Sequence, residues 1–207
     1  MDGSDAAAST CAFKDLAESI FMGLNLSRML ESPSPPEPVP VIHVKDVTEG
    51  LLTPREALEP MDVPRERIGR QRLQPGDILV SARGTLLKCA VVRPDHQGCV
   101  ASANFIVIRP AKAPPLHPDL LCAFLRQPQT QTLLLNRVSS TAQPALTIRD
   151  LESLSVTVPA ADIQETLVQL IRTADEQYRT AVDLARLRRE EALAILADHM
   201  ENDDARG

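Results

Sequence analysis

Aromatic side chains are nearly missing from this sequence: four Phe, one Tyr and no Trp in 207 residues. A core must therefore be built from Leu, Val, Ile and Ala, for which the 43% hydrophobic content suffices. No apolar run approaches the roughly 18 residues that span a bilayer. The opening Met1-Asp-Gly-Ser-Asp lacks the basic-then-apolar order of a signal peptide, so the expected location is the cytoplasm, with no membrane partner. Cys11, Cys89, Cys99 and Cys122 form no C-x-x-C pair and have no His at ligand spacing. That spacing argues against a structural metal and favours four small hydrophobes in a reducing compartment. A Ser-His-Asp series, a phosphate-cradling glycine loop and clustered His or carboxylates are also missing. The expectation is a chain with no cofactor, no metal and no catalytic residues of its own. His43, on a short apolar stretch, reads as a hydrogen-bonded edge histidine.

One sign of charge is scarce where it matters. The net charge is −6, which argues against a nucleic-acid partner, because DNA affinity is mostly phosphate neutralisation by Lys and Arg. Its distribution reverses that inference. Residues 1–52 hold three basic groups against eight acidic, and 161–207 hold six against eleven. Residues 53–112 hold ten basic groups against six acidic. The basic excess is concentrated in one segment.

That segment contains the stretch around which the chain is organised, Leu73 to Thr85. Pro75-Gly76-Asp77 reads as a turn and Ile78-Leu79-Val80 as a buried strand. Ser81, Arg83, Gly84 and Thr85 then form a polar loop on a rigid mount. Strands are expected at 77–81, 87–92 and 100–109, with a hairpin turn over 94–98. Phe13 to Leu30 starts as a short amphipathic helix that Gly23 breaks. Glu31 to Pro40, with five prolines, is expected to be extended and polyproline-like. Val41 to Val44 is a strand candidate. Leu51 to Arg72 reads as a long loop with one helical turn. Helices are expected near Leu120–Leu125 and Thr130–Val138, with a helical turn at Ile148–Leu154 and a last strand at Val156–Val158. Ala160 to Met200 has no Pro or Gly, and Asp162 and Glu165 suit its start as a capping box. At about 1.5 Å per residue it forms a rod of roughly 60 Å. Its apolar seam is Leu167, Ile171, Ala174, Tyr178, Ala181, Ala185, Ala192 and Ile195, at a period near 3.5. One side of such a rod must be covered, most simply by another helix.

The run from Gly76 through Asp77-Ile-Leu-Val-Ser-Ala-Arg to Gly84-Thr85, with Lys88 and then Ala101-Ser-Ala-Asn-Phe-Ile-Val, resembles the target-recognition domain of type I restriction-modification specificity (S) subunits. Leu120-Leu121 with Phe124-Leu125, the segment from Thr141 to Pro159, and Gln164 at the helix start continue the resemblance over residues 13 to 200. It implies an α+β fold in which a β-rich recognition domain with small helices precedes a coiled-coil-like spacer. The expected divisions are a disordered tail at 1–12, the recognition domain at 13–160, the helix at 161–200 and a frayed end at 201–207. It also implies a half-sized, non-catalytic subunit, since such subunits hold two recognition domains and two long helical regions. Its partners would be double-stranded DNA, a DNA methyltransferase subunit, a restriction subunit in the cleaving complex, and a second copy docked antiparallel through the helix. The departures are the few aromatics, the two acidic ends and the absence of a Gly near Ser139.

Recognition needs side chains that reach base edges and phosphates. Arg reads guanine bidentately, and Asn or Gln reads adenine. The candidates are Arg83, Thr85, Lys88, Ser102, Asn104 and Gln143, with Arg65, Arg67, Arg70 and Arg72 as phosphate contacts. Each has a plainer reading, as a turn former, a backbone partner or a solvated loop cation. The competing function is an S-like interaction protein that binds a methyltransferase or defence partner without reading DNA.

Overall fold

The computed structural model describes residues 9–25, 34–138 and 145–204. Residues 9–168 fall in one compact unit and those from Gln169 onward in a second. In the first, a four-stranded antiparallel sheet runs in the order β2 (Ala17–Met22), β10 (Phe105–Pro110), β7 (Ile78–Ser81), β8 (Cys89–Val91). A three-stranded sheet runs β6 (Pro60–Pro64), β3 (Pro36–Ile42), β9 (Val100–Ala101), with β3 and β9 parallel. Two small ladders complete the β content, β1 (Ser9–Ala12) with β11 (Ser155–Val158) and the hairpin β4 (Val47–Thr48) to β5 (Leu51–Leu52). The helices are the single turn α1 (Arg65–Ile68), α2 (Pro118–Arg126), α3 (Pro128–Val138), α4 (Ile148–Glu152) and α5 (Ala161–Asp204). The α+β expectation holds.

Successive residues of a strand face opposite sides, and here they feed two cores. Ile42, Leu79, Ala101, Phe105 and Val107 join one cluster, and Val39, Val41 and Val100 the other, with Leu24, Val63 and Ile68. Phe13 and Phe105 are wholly enclosed, and the other enclosed side chains of comparable size are Leu and Ile. The scarcity of rings is met by aliphatic packing.

The proline stretch departs from its expected form. Pro36 to Pro40 belongs to a paired strand. The Val41 amide donates to Glu59 O at 3.1 Å, so alternate residues 37, 39 and 41 point their backbone groups at β6. Pro36, Pro38 and Pro40 therefore point away from β6, on a side where β9 pairs only with Val41 and Ile42. Their missing N–H groups remove no ladder bond, which is how an edge accommodates proline. Opposite them β6, read from the sequence as loop, carries its own Pro60 and Pro64 in register with Pro40 and Pro36.

Three further expectations are corrected. Ser9–Ala12 is not tail but a strand in register with Val158 to Ser155, held by an alternating exposed and buried pattern on β11. Phe13–Leu16 is a 3-10 turn, and the residues after it form β2 rather than a helix, because pairing with β10 outweighs the local period. The terminal helix continues past 200 to Asp204, since neither Pro nor Gly interrupts it. Residues 1–8, 26–33, 139–144 and 205–207, and with them Gln143, lie outside the described residues.

Candidate nucleic-acid interface

The hairpin from β7 to β8 is fixed at its base from three directions. Ser81 N donates to Lys88 O, and Lys88 N donates to Ser81 Oγ, each at 2.8 Å. Gln131, buried on α3, accepts from Leu87 N at 2.9 Å and donates to Leu87 O at 3.1 Å and Leu125 O at 2.6 Å. Lys88 Nζ turns inward and donates to Val44 O and Val47 O at 2.9 and 2.8 Å. Beyond this base the chain turns at Gly84, whose φ of +129° suits a residue without Cβ. Arg83, Gly84, Thr85 and Leu86 are left exposed. Ala82 N donates to Asn104 O and Leu146 N donates to Ala82 O, both at 2.7 Å. Asn104 is thereby brought beside the hairpin with its side chain exposed.

The structure thus brings Arg83, Thr85 and Asn104 together and places two other candidates elsewhere. Lys88 spends its ammonium on two carbonyls. Ser102 is 4% exposed and lies under Gly23, where a Cβ would overlap the Ser102 carbonyl. Close backbone approach, more than helix breaking, accounts for that glycine.

Gln131 and the inward role of Lys88 were not read from the sequence. Their partners at Leu87, Val44 and Val47 lie about forty residues away along the chain, so no local pattern announces them. Removing the Gln131 side chain takes the acceptor from the Leu87 amide and a donor from the Leu87 and Leu125 carbonyls. Gln131→Ala is expected to cost about 1–3 kcal/mol, with faster hydrogen exchange at the Leu87 amide. An unchanged urea midpoint and exchange rate would show that the clamp contributes nothing.

The arginine-rich segment forms a second surface, and much of its charge is already compensated. Glu37 of β3 receives Arg72 at 2.7 Å and Arg65 at 3.7 Å. Arg67 stands 4.0 Å from Glu66. Arg109 is bound to Asp77, Arg93 to Asp119, and Arg55 to the Gln97 carbonyl. Arg70 and Arg83 have no ion pair among the described residues. Arg67 and Arg70 border a cleft of about 370 Å³ with Gly23, Leu24, Asn25, Glu66 and Gln71. An arginine with a nearby acid can still meet a phosphate, but it must first exchange partners. Arg70 and Arg83 need not.

Burial pushes the Cys89 thiol well up and the Cys99 thiol up, so neither is a ready thiolate. Among the described residues no group of three His, Cys, Asp or Glu could hold a metal ion. No described helix is long and apolar enough to cross a membrane.

A family model described as the type I restriction modification DNA specificity domain matches residues 36–181. The chain belongs to that family. The specificity domain matches no curated protein sequence, but its fold recurs in solved structures. The HsdS subunit from Thermoanaerobacter tengcongensis is similar over 86% of this chain and 44% of its own, at 18% identity and a TM-score of 0.61. A chain from a structure addressing complex assembly and conformational transition of the type I R-M system is similar over 88% of this chain and 45% of its own, at 17% identity and a TM-score of 0.56. This specificity domain therefore spans less than half the length of either.

Proposed function

We propose that this domain reads DNA sequence as the non-catalytic specificity component of a type I restriction-modification system, working in the cytoplasm. Methyl transfer resides in a DNA methyltransferase subunit bound to it, and cleavage in a restriction subunit. Two copies act together, joined through α5. The observation that carries this reading is the clamped hairpin of a specificity-family domain, which presents Arg83 and Thr85 beside Asn104 on a base held by hydrogen bonds from Ser81 and Gln131. Recognition requires side chains held near their working geometry before the ligand arrives. Arg83, Thr85 and Asn104 are assigned to base edges. Arg70 and Arg67 are assigned to phosphates, with Arg65 and Arg72 behind them.

The test is binding and methylation of duplex DNA by the chain reconstituted with its methyltransferase subunit. Arg70→Ala is expected to reduce the slope of log affinity against log salt by about 1, the signature of one phosphate contact. Arg83→Ala is expected to cost about 1–3 kcal/mol on the preferred site and to relax the preference at one base pair. Arg65→Ala or Arg72→Ala should change the slope less, since the two share the carboxylate of Glu37 and must loosen that pairing to meet a phosphate. If the complex binds no duplex at low salt, the reading fails.

A second reading is favoured by the compensated arginines and the net charge of −6. In it the domain binds the methyltransferase but touches no DNA. It predicts a stable protein complex with the same DNA affinity as the methyltransferase subunit alone.

A further inference from the structure

The seam of α5 follows a 3.5-residue repeat in two columns. Ile171 and Tyr178 head one column, Arg188 and Ile195 end the other, and alanines fill the positions between. Tyr178 and Ile195 are 50% and 56% exposed, and Val182 and Leu184, on the two flanks, are 48% and 46% exposed. The seam holds one charge, Arg188, and one aromatic ring, Tyr178. Arg186 on the opposite face is paired with Glu190 at 2.8 Å, whereas Arg188 and Arg189 have no ion pair among the described residues.

We propose that the occupant of this seam is a second copy of the chain, antiparallel, about a two-fold axis at the level of Asp183. The proposal rests on the dimer reading above and adds its register. Antiparallel helices pair one seam column with the other, so positions mirror across the axis. About Asp183, Arg188 of each copy lies over Tyr178 of the other, a cation on a ring face. Ile171 meets Ile195, and alanine meets alanine in the layers between, which brings the backbones close enough for those contacts. On one flank Asp175 meets Arg189 of the other copy, and Val182 meets itself on the axis. On the other flank Leu184 meets itself. The patch is self-complementary, as a two-fold interface must be.

Other arrangements lose this agreement. A parallel pair in register sets Arg188 against Arg188. An antiparallel slip of one heptad sets Arg188 against Ile171 in one direction and against Ala185 in the other, and leaves Tyr178 without a cation in both. Exposed ion pairs contribute little affinity, but misplacing like charges selects against the wrong register.

The experiment uses the full chain with Cys11 replaced by Ser, the other three cysteines being buried. Single Val182→Cys and Leu170→Cys variants are treated with a short bis-maleimide after sedimentation has established the oligomeric state. A dimer that cross-links at 182 and not at 170 is the expected result. A dimer that cross-links at 170, or at neither position, overturns the register and leaves the dimer reading intact. A monomeric full chain overturns both. Charge exchange gives a second measurement. Asp175→Arg should weaken dimerisation roughly tenfold, two ion pairs turned from attraction to repulsion, and adding Arg189→Asp should restore it. Failure of the double variant to recover, in a chain that still dimerises, also overturns the register.

Discussion

Asp77→Ala is expected to destabilise the domain by about 3–5 kcal/mol, the usual result of removing one partner from a buried ion pair. Asp77 closes the Pro75-Gly76 turn, accepting from Gln74 N at 2.9 Å, and its side chain is 1% exposed. Arg109 of β10 reaches it through Nε at 3.0 Å and Nη2 at 2.7 Å, and also donates to Arg72 O at 2.8 Å. The guanidinium lies 5.4 Å from the Phe21 ring centre, and the bond to Asp77 raises its already high pKa. Without the carboxylate, a mostly buried cation keeps only one carbonyl and a ring face. The turn that starts β7 also loses its side-chain acceptor. Urea unfolding measures the loss. Arg109→Lys tests the geometry, because an ammonium cannot hold both oxygens as the planar fork does. A loss below about 1 kcal/mol for Asp77→Ala would mean that water enters the site and takes over the carboxylate's bonds.

Much of this architecture is legible in the sequence, and what is not has a physical cause. Ile78 to Val80 and Phe105 to Ile108 are unbroken apolar runs between turn residues, and both are central strands. Thr147 and Asp150 form the reciprocal cap of α4, a local signal between residues three apart, at the start of the helical turn expected there. At the start of α5 the outcome is mixed. Asp162 accepts from the Ile163 amide within the first turn, while Gln164 ties the helix to the domain, accepting from His117 N and donating to Pro115 O and Pro159 O. β2 and β6 were hidden because their partners, β10 and β3, are distant in sequence. The excess of basic residues at 53–112 was correctly located, yet a count cannot say which cations are already bound. Arg109, Arg72 and Lys88 are fixed by groups 32, 35 and more than 40 residues away. Only the fold separates them from Arg70 and Arg83.

Ending the chain at Val168 is expected to turn a dimer into a folded monomer and to weaken binding to a two-part DNA target by about 10²–10⁴-fold, the range that linking two sites provides. Both hydrophobic clusters and the clamped hairpin lie before this point, and Val168 itself is 2% exposed, so the remaining unit keeps its core. What is lost is a helix whose Leu170, Tyr178, Val182, Leu187 and Leu196 are all about half exposed or more. A helix of 44 residues with that much apolar surface gains stability mainly by covering it. Affinity for a single half-site should be unchanged, because Arg83, Thr85 and Asn104 remain in place. Sedimentation and binding to one-site and two-site duplexes separate the effects. A truncated chain that still dimerises would move the interface to the β-rich unit. A monomer that binds the two-part target as tightly as the full chain would mean that one domain reads the whole of it.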